Sequence, residues 1–168
     1  MRPHPARGPA AKPEAMPTGR PAIRPAGPED AAEVGRLLRL LGCVRWTSEA
    51  EMDRRIGAFL RRASATRILV AGPVGGPLGA AAIVHVMAAP VEDASQLLLD
   101  DLVVDPACRG QGLGGALLAA VLELARREGA VRIHARVDAQ EPAAARLYQQ
   151  HGLRPSSDTV YLWEAADG

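Results

Sequence analysis

The sequence predicts an α+β fold of the α/β class, a mixed, mostly antiparallel six- to seven-stranded sheet flanked by about four helices. Three observations predict it. Apolar runs of strand length and stretches of helical period follow one another as β-α-α-β-β-β-α-β-α-β-β, with room for helices on both faces of the sheet. The runs Arg67–Ala71 and Leu78–Met87 are separated only by the Gly- and Pro-rich turn 72–77, which makes them a hairpin. The chain has 168 residues, 48% of them hydrophobic, which suits one domain with a substantial core.

The elements are justified in order. Ala22–Ala26 is a short first strand. Gly27-Pro28-Glu29-Asp30 opens a helix with acids near its positive end. Val34, Leu37, Leu38 and Leu41 then recur at helical spacing until Gly42 closes it. Ser48 and Glu51 form a capping box for a second helix, whose apolar side is Ile56, Phe59 and Leu60. After the hairpin, 88–95 reads as a variable loop and Gln96–Val104 as a fourth strand. Gly112–Glu128 is a long amphipathic helix that turns Leu113, Leu117, Leu118, Val121, Leu124 and Ala125 to the sheet, with Gly129 as its stop. Val131–Val137 is a fifth strand, and Pro142–His151 a fourth helix with proline early, where a missing N–H is harmless. Thr159–Glu164 is a last strand, reached through a hairpin at 153–156. No internal repeat is visible.

Composition narrows the function classes. The net charge of +1 gives no argument for nucleic acid or a charged membrane surface. No apolar run reaches membrane-spanning length. Residues 1–20 lack the hydrophobic segment of a secretory signal, and Pro3, Pro5, Pro9, Pro13 and Pro17 oppose an amphipathic transit helix. They read as a disordered extension ahead of a single domain over 21–168. Cys43 and Cys108 are too few for a disulfide framework, so a cytoplasmic location is the expectation. Of 20 Lys and Arg only Lys12 is lysine, a bias that suits a GC-rich bacterial genome.

The most informative stretch is LLLDDLVVDPACRGQGLGG, Leu97 to Gly115. An apolar strand enters an Arg- and Gly-rich loop that opens directly into the long helix. Glycines allow the backbone to approach a ligand, and the first turn of a helix leaves amides unpaired at the positive end of its dipole. That combination suits a phosphate or pyrophosphate, with Arg109 adding a charge-assisted contact. A P-loop is excluded, because no Lys-Ser or Lys-Thr pair follows the glycines. Gly110, Gly112 and Gly115 read G-x-G-x-x-G, but the strand before them is the fourth of the chain rather than the first, which argues against a dinucleotide fold.

Arg109, Gly112 and Gly114 read R-x-x-G-x-G after a Val-Val-Asp-Pro strand end. This resembles the acetyl-CoA pyrophosphate loop of the GCN5-related N-acetyltransferase (GNAT) family. Downstream, EPAAARLYQQHGL (141–153) is similar to the family's N-x-x-A-x-x-L-Y-x-x-x-G-F helix, with Ala144, Leu147, Tyr148 and Gly152 on matching positions. A helix, a turn and a strand separate the two motifs, and the resemblance spans 23–163. It implies the GNAT acyl-CoA N-acyltransferase fold and acetyl-CoA as cosubstrate. It implies that the amides of Arg109, Gly110, Gln111, Gly112, Leu113, Gly114 and Gly115 hold the pyrophosphate. Backbone groups of Leu102, Val103 and Val104 would hold the pantetheine arm where the fourth and fifth strands splay, and an N–H near Val103 or Val104 would polarise the thioester carbonyl. Glu141 stands where many relatives carry Asn, which weakens that contact to the cofactor's arm.

The resemblance implies for Tyr148 the role of general acid toward the leaving thiolate; an ordinary half-buried helix tyrosine is the alternative. A phenol with pKa ~10 is a sensible donor toward a thiol of ~8.5. Asp100 and Asp101 interrupt an apolar strand, where an unpartnered carboxylate is costly. Alternation puts them on opposite faces, so one faces the cleft. Asp100 is the first choice for base and Asp101 for contact to the substrate amine, a structural role for one of them being the alternative. Arg136 stands where some relatives carry a base. Trp46, Phe59 and His85 are candidates for the acceptor side, with core packing as their alternative. His134 and His151 read as structural or surface residues and Cys108 as a filler. No metal site is expected, because the His and Cys residues lack ligand spacing.

The resulting expectation is direct acetyl transfer from acetyl-CoA to a primary amine of a small molecule, aminoglycoside-like compounds included. Two alternatives stand beside it: a protein Nα-acetyltransferase, and a non-catalytic CoA-binding sensor or interaction module. A homodimer is left open, and no nucleic-acid or membrane partner is expected.

Overall fold

The computed structural model describes residues 22–42, 48–62, 65–137 and 141–158. The described residues up to Arg136 form one compact unit and the described residues from Val137 another. The first holds a five-stranded sheet in the order β1 (Ile23–Pro25), β2 (Thr66–Ala71), β3 (Ala80–Ala89), β4 (Ala94–Val104), β5 (Ala130–Ala135). Neighbours are antiparallel except β5, which runs parallel to β4. Helices α1 (Ala31–Arg39) and α2 (Glu49–Leu60) lie between β1 and β2, and α3 (Leu113–Arg127) connects β4 to β5. The second unit holds α4 (Pro142–Gln150).

Side-chain alternation divides the sheet into two apolar faces. Val34 and Leu37 of α1 pack with Ile68, Val70, Leu78, Ala81 and Val103, and Ile56, Phe59, Leu60 and Ile83 border that cluster. The intervening residues Leu69, Ala71, Ala80, Ala82, Val84, Leu97 and Leu99 are buried on the other face. There α3 lies against the strands through Leu113, Leu117, Leu118, Val121, Leu124 and Ala125, the stripe its sequence periodicity predicts. Small residues let α3 come close. A Cβ on Gly79 would stand 2.6 Å from Cδ1 of Leu113 and 3.3 Å from Sγ of Cys108, so a side chain here would force the Leu113 side chain at the start of α3 to move aside.

Several boundaries differ from the sequence expectation. Pro28–Asp30 form a 3-10 turn, and α1 begins only at Ala31. Asp30 turns inward to Arg24 of β1, at 2.7 and 2.8 Å, and accepts from the amides of Gly27 and Gly75. The expected variable loop 88–95 is mostly ladder. Met87 pairs with Gln96, Ala88 with Ser95 and Ala89 with Ala94, and the remaining turn is closed by Asp93 at φ +48°. Small side chains gave this segment no strand signal of its own; pairing with β4 holds it extended. Five strands are present among the described residues rather than six or seven. No strand forms within 153–156, and the expected strand 159–164 lies outside the described residues, as do the extension 1–20 and Cys43.

Candidate active site

The anion loop begins where β4 ends. The Oδ1 of Asp105 accepts from the Ala107 amide at 2.9 Å and starts a 3-10 turn over Pro106–Cys108. The Arg109 amide is used by the Pro106 carbonyl at 3.4 Å, and Gln111 Nε2 reaches the Ala107 carbonyl at 3.4 Å. Gly110 and Gly112 adopt φ +76° and +77°, and a Cβ on either would meet open space. The requirement for glycine there is conformational. The Ala116 amide closes the first helical turn onto the Gly112 carbonyl. Among the described residues, no protein acceptor takes the amides of Gly110, Gln111, Gly112, Leu113, Gly114 and Gly115. They stand together at the positive end of a 15-residue helix.

Five contacts fasten the base of this loop. Arg36 of α1 donates through Nη1 to Oδ2 of Asp105 at 2.5 Å and through Nη2 to the Leu78 carbonyl at 2.7 Å. Glu33 of α1 accepts from Arg36 and, at 2.9 Å, from the Leu78 amide. The Asp105 amide donates to the Gly79 carbonyl at 2.9 Å. Burial works against the Asp105 charge, but the Ala107 amide and Arg36 prevail and hold its carboxyl below the usual range.

The edge of β4 that faces β5 is open at its end. Pairing runs from Ser95↔Ala130 to Leu99↔Ala135 and stops there, while β4 continues to Val104. Leu102, Val103 and Val104 pair only with β3, so among the described residues no strand takes their other edge. Such an edge offers an extended ligand the hydrogen bonds of an added strand.

Between this edge and the ladder lies the acidic pair. The β3–β4 register shifts at Ile83/Val84: Ile83 faces Asp101, Val84 faces Leu99, and Asp100 is the extra residue of a β-bulge. This corrects the expectation that the two carboxylates take opposite faces. A bulge breaks the two-residue alternation, and both groups turn to the face of Ile83 and His85. Asp100 Oδ2 lies 3.3 Å from His85 Nε2, and its Oδ1 accepts from Arg136. His85 Nδ1 lies 2.8 Å from Oγ1 of Thr66 on β2. A carboxylate only accepts, so in the neutral ring Nε2 carries the proton and the Thr66 hydroxyl donates to Nδ1. Asp101 has no hydrogen-bond partner among the described residues. Burial pushes its carboxyl above the usual range and the Asp100 charge adds to this, while Arg136 and His85 oppose it.

The other candidates are dispersed. Phe59 borders the α1–sheet core, and Trp46 lies outside the described residues. Cys108 is packed by Gly79, with burial raising its thiol pKa. His134 is exposed and meets Gln96, and His151 meets the Leu147 carbonyl at 2.9 Å. In the second unit, Glu141 is exposed at the start of α4 and Tyr148 is half-buried on it. No metal-holding group of His, Cys, Asp or Glu occurs among the described residues, and no helix there is long and apolar enough to cross a membrane. Sequence reasoning missed Thr66, Glu33 and Arg36. Glu33 and Arg36 have the i,i+3 spacing of an ordinary helix-surface pair, and their bonds to Leu78 and Asp105, like that of Thr66 to His85, cross between elements where no local spacing marks them.

A family model described as the acetyltransferase (GNAT) family matches residues 37–153. No curated protein matches the chain. Solved structures share its fold at low identity. A probable acetyltransferase has a TM-score of 0.75 at 18% identity, covering 88% of this chain and 99% of its own. A ribosomal-protein-alanine N-acetyltransferase from Brucella melitensis biovar Abortus 2308 gives 0.69 at 19%, covering 86% and 98%. An aminoglycoside acetyltransferase from an uncultured soil metagenomic sample, in complex with sisomicin, gives 0.68 at 14%, covering 87% and 96%. Below 25% identity these likenesses concern the fold. The family model, matching most of the chain around the open amide loop and the splayed β4 edge, establishes that the protein belongs to the GNAT family of acetyl-CoA-dependent N-acetyltransferases.

Proposed function

We propose that the protein transfers the acetyl group of acetyl-CoA directly to a primary amine of a small molecule, with aminoglycoside-like compounds among the first acceptors to test. The observation that carries this reading is the arrangement along β4 of an unpartnered carboxylate, an open strand edge and an open set of loop amides. The cosubstrate supplies the acetyl group as a thioester. The Gly110–Gly115 amides and Arg109 bind the diphosphate, and the Leu102–Val104 edge orients the pantetheine arm. An N–H near Val103 or Val104 stabilises negative charge as it develops on the carbonyl oxygen.

Two residues handle protons. As the amine nitrogen bonds to the acetyl carbon, its N–H becomes far more acidic, and Asp101 takes that proton. The sequence reading gave this part to Asp100. Its engagement by His85 and Arg136 favours exchanging the roles, with Asp100 a fixed anion for the cationic acceptor. As the carbon–sulfur bond breaks, Tyr148 donates its phenolic proton to the thiolate, a role supported by the resemblance of 141–153 to the family helix.

Thiol release from acetyl-CoA against a panel of amines tests the reading. Tyr148→Phe is expected to lower kcat about 10- to 100-fold with little change in KM for acetyl-CoA. Binding with no turnover on any amine would favour a coenzyme A sensor instead. The cradle is tested separately: coenzyme A at about 100 times its Kd should stabilise the fold by about 2.7 kcal/mol. An unshifted melting curve under those conditions refutes it.

A further inference from the structure

We propose that Arg36, on helix α1, is a positioning residue for the diphosphate of acetyl-CoA, acting through Asp105 to fix the base of the anion loop. This rests on the reading that the loop binds that diphosphate.

The loop has little to hold it. Gly110 and Gly112 lie in the left-handed region with open space around them, and the amides of Gly110–Gly115 bond to nothing in the described protein. Its remaining hydrogen bonds among the described residues are the Arg109 amide on Pro106, Gln111 on Ala107, the Cys108 amide on the Asp105 carbonyl at 2.8 Å, and the Ala107 amide on the Asp105 carboxylate. All of these act within the loop itself. Among the described residues, its hydrogen bonds to the rest of the fold at this end all pass through Asp105, whose amide donates to the Gly79 carbonyl and whose two carboxylate oxygens divide the remaining work. Oδ1 starts the turn at Ala107, while Oδ2 takes the Arg36 guanidinium at 2.5 Å.

Arg36 is itself held on three sides. It meets Glu33 one turn earlier on α1, the Leu78 carbonyl ahead of β3, and Asp105 at the end of β4. Glu33 also takes the Leu78 amide, so both backbone groups of Leu78 are bound by this one pair. The guanidinium fork therefore sets the carboxylate's rotamer, and the carboxylate sets the direction in which the chain leaves β4. Amides bind an anion well only if they already converge on it; without the clamp the ligand must order the loop and affinity falls.

The test is a double-mutant cycle read by calorimetry. The variants are Arg36→Met, Asp105→Asn and their combination, and the ligands are coenzyme A and pantetheine, which lacks the diphosphate. Asp105→Asn retains an oxygen for the Ala107 amide and loses the charged partner of Arg36. Each single substitution is expected to raise Kd for coenzyme A about tenfold, and the combination no further than either alone. Kd for pantetheine should stay within about twofold throughout, which general loosening of the fold would not allow. If Arg36→Met does not fold, Arg36→Lys, which keeps the charge but not the fork, takes its place with an expected rise of about threefold. Unchanged coenzyme A affinity, equal weakening of pantetheine, or single effects that multiply in the combination overturns the inference. Wild-type protein that fails to bind coenzyme A at all refutes the cradle itself, a result separable from any effect of the variants.

Discussion

Asp101→Asn lowers kcat/KM by about a hundredfold to a thousandfold at neutral pH, with the KM for acetyl-CoA little altered. Asparagine keeps the shape of the side chain and one acceptor oxygen, but it cannot take a proton. The half-buried Asp101 carboxylate has no partner among the described residues to compete for it, and burial has already made it more basic than an ordinary aspartate. Thiol release at saturating acetyl-CoA, with the best amine found, measures the loss. A decrease of less than about threefold would remove Asp101 from the mechanism, since one positioned general base contributes far more than that.

The pH profile adds a signed test of the surroundings. A base must be deprotonated to work, so kcat/KM falls on the acid side as Asp101 takes up a proton. Asp100 raises the Asp101 pKa, whereas Arg136 and His85 lower it. Asp100→Asn should therefore move the acid limb to lower pH, and Arg136→Gln should move it to higher pH. Shifts in the same direction for both variants would contradict the assignment of Asp101 as the titrating group.

The sequence made the anion loop legible and left the acidic site half hidden, for a physical reason. The loop is local: its glycines, its arginine and its helix are consecutive, so their spacing carries the geometry. The α3 stripe from Leu113 to Ala125 is local in the same sense and matches the observed burial. The acidic pair depends on register. Asp100 and Asp101 share a face only because the β3–β4 ladder gains a residue there, and nothing within LLLDDLVV shows a bulge. Thr66, His85, Asp100 and Arg136 come from β2, β3, β4 and the end of β5, and only the assembled sheet brings them into one chain of contacts. The hairpin at 88–95 was obscured likewise, because alanines carry too weak a strand preference to reveal pairing that the partner strand imposes.

Asp30→Ala is expected to cost about 3–5 kcal/mol of stability, the largest loss foreseen for a residue outside the reaction itself. Asp30 is 1% exposed and joins Arg24 through both carboxylate oxygens. Alanine would leave the guanidinium partly stranded and take away the acceptor of the Gly27 and Gly75 amides. The Arg24 hydrogen bond, with help from those amides, overcomes burial and lowers the Asp30 pKa from 3.8 to about 2. The folded value lies below the unfolded one, so the contribution is complete above pH 3.8 and disappears as the pH falls through about 2. That shift corresponds to about 2.5 kcal/mol. Glu33 and Asp105 also have lowered values, so the informative quantity is the difference between wild-type and variant urea-unfolding curves across that window. The gap should narrow as Asp30 becomes protonated; curves that stay parallel would mean the ion pair is not what the fold gains from this residue. The same pair ties β1, the approach to α1 and the β2–β3 turn together. The variant should therefore loosen the seat of the helix that carries Glu33 and Arg36, and weaken coenzyme A binding at the same time.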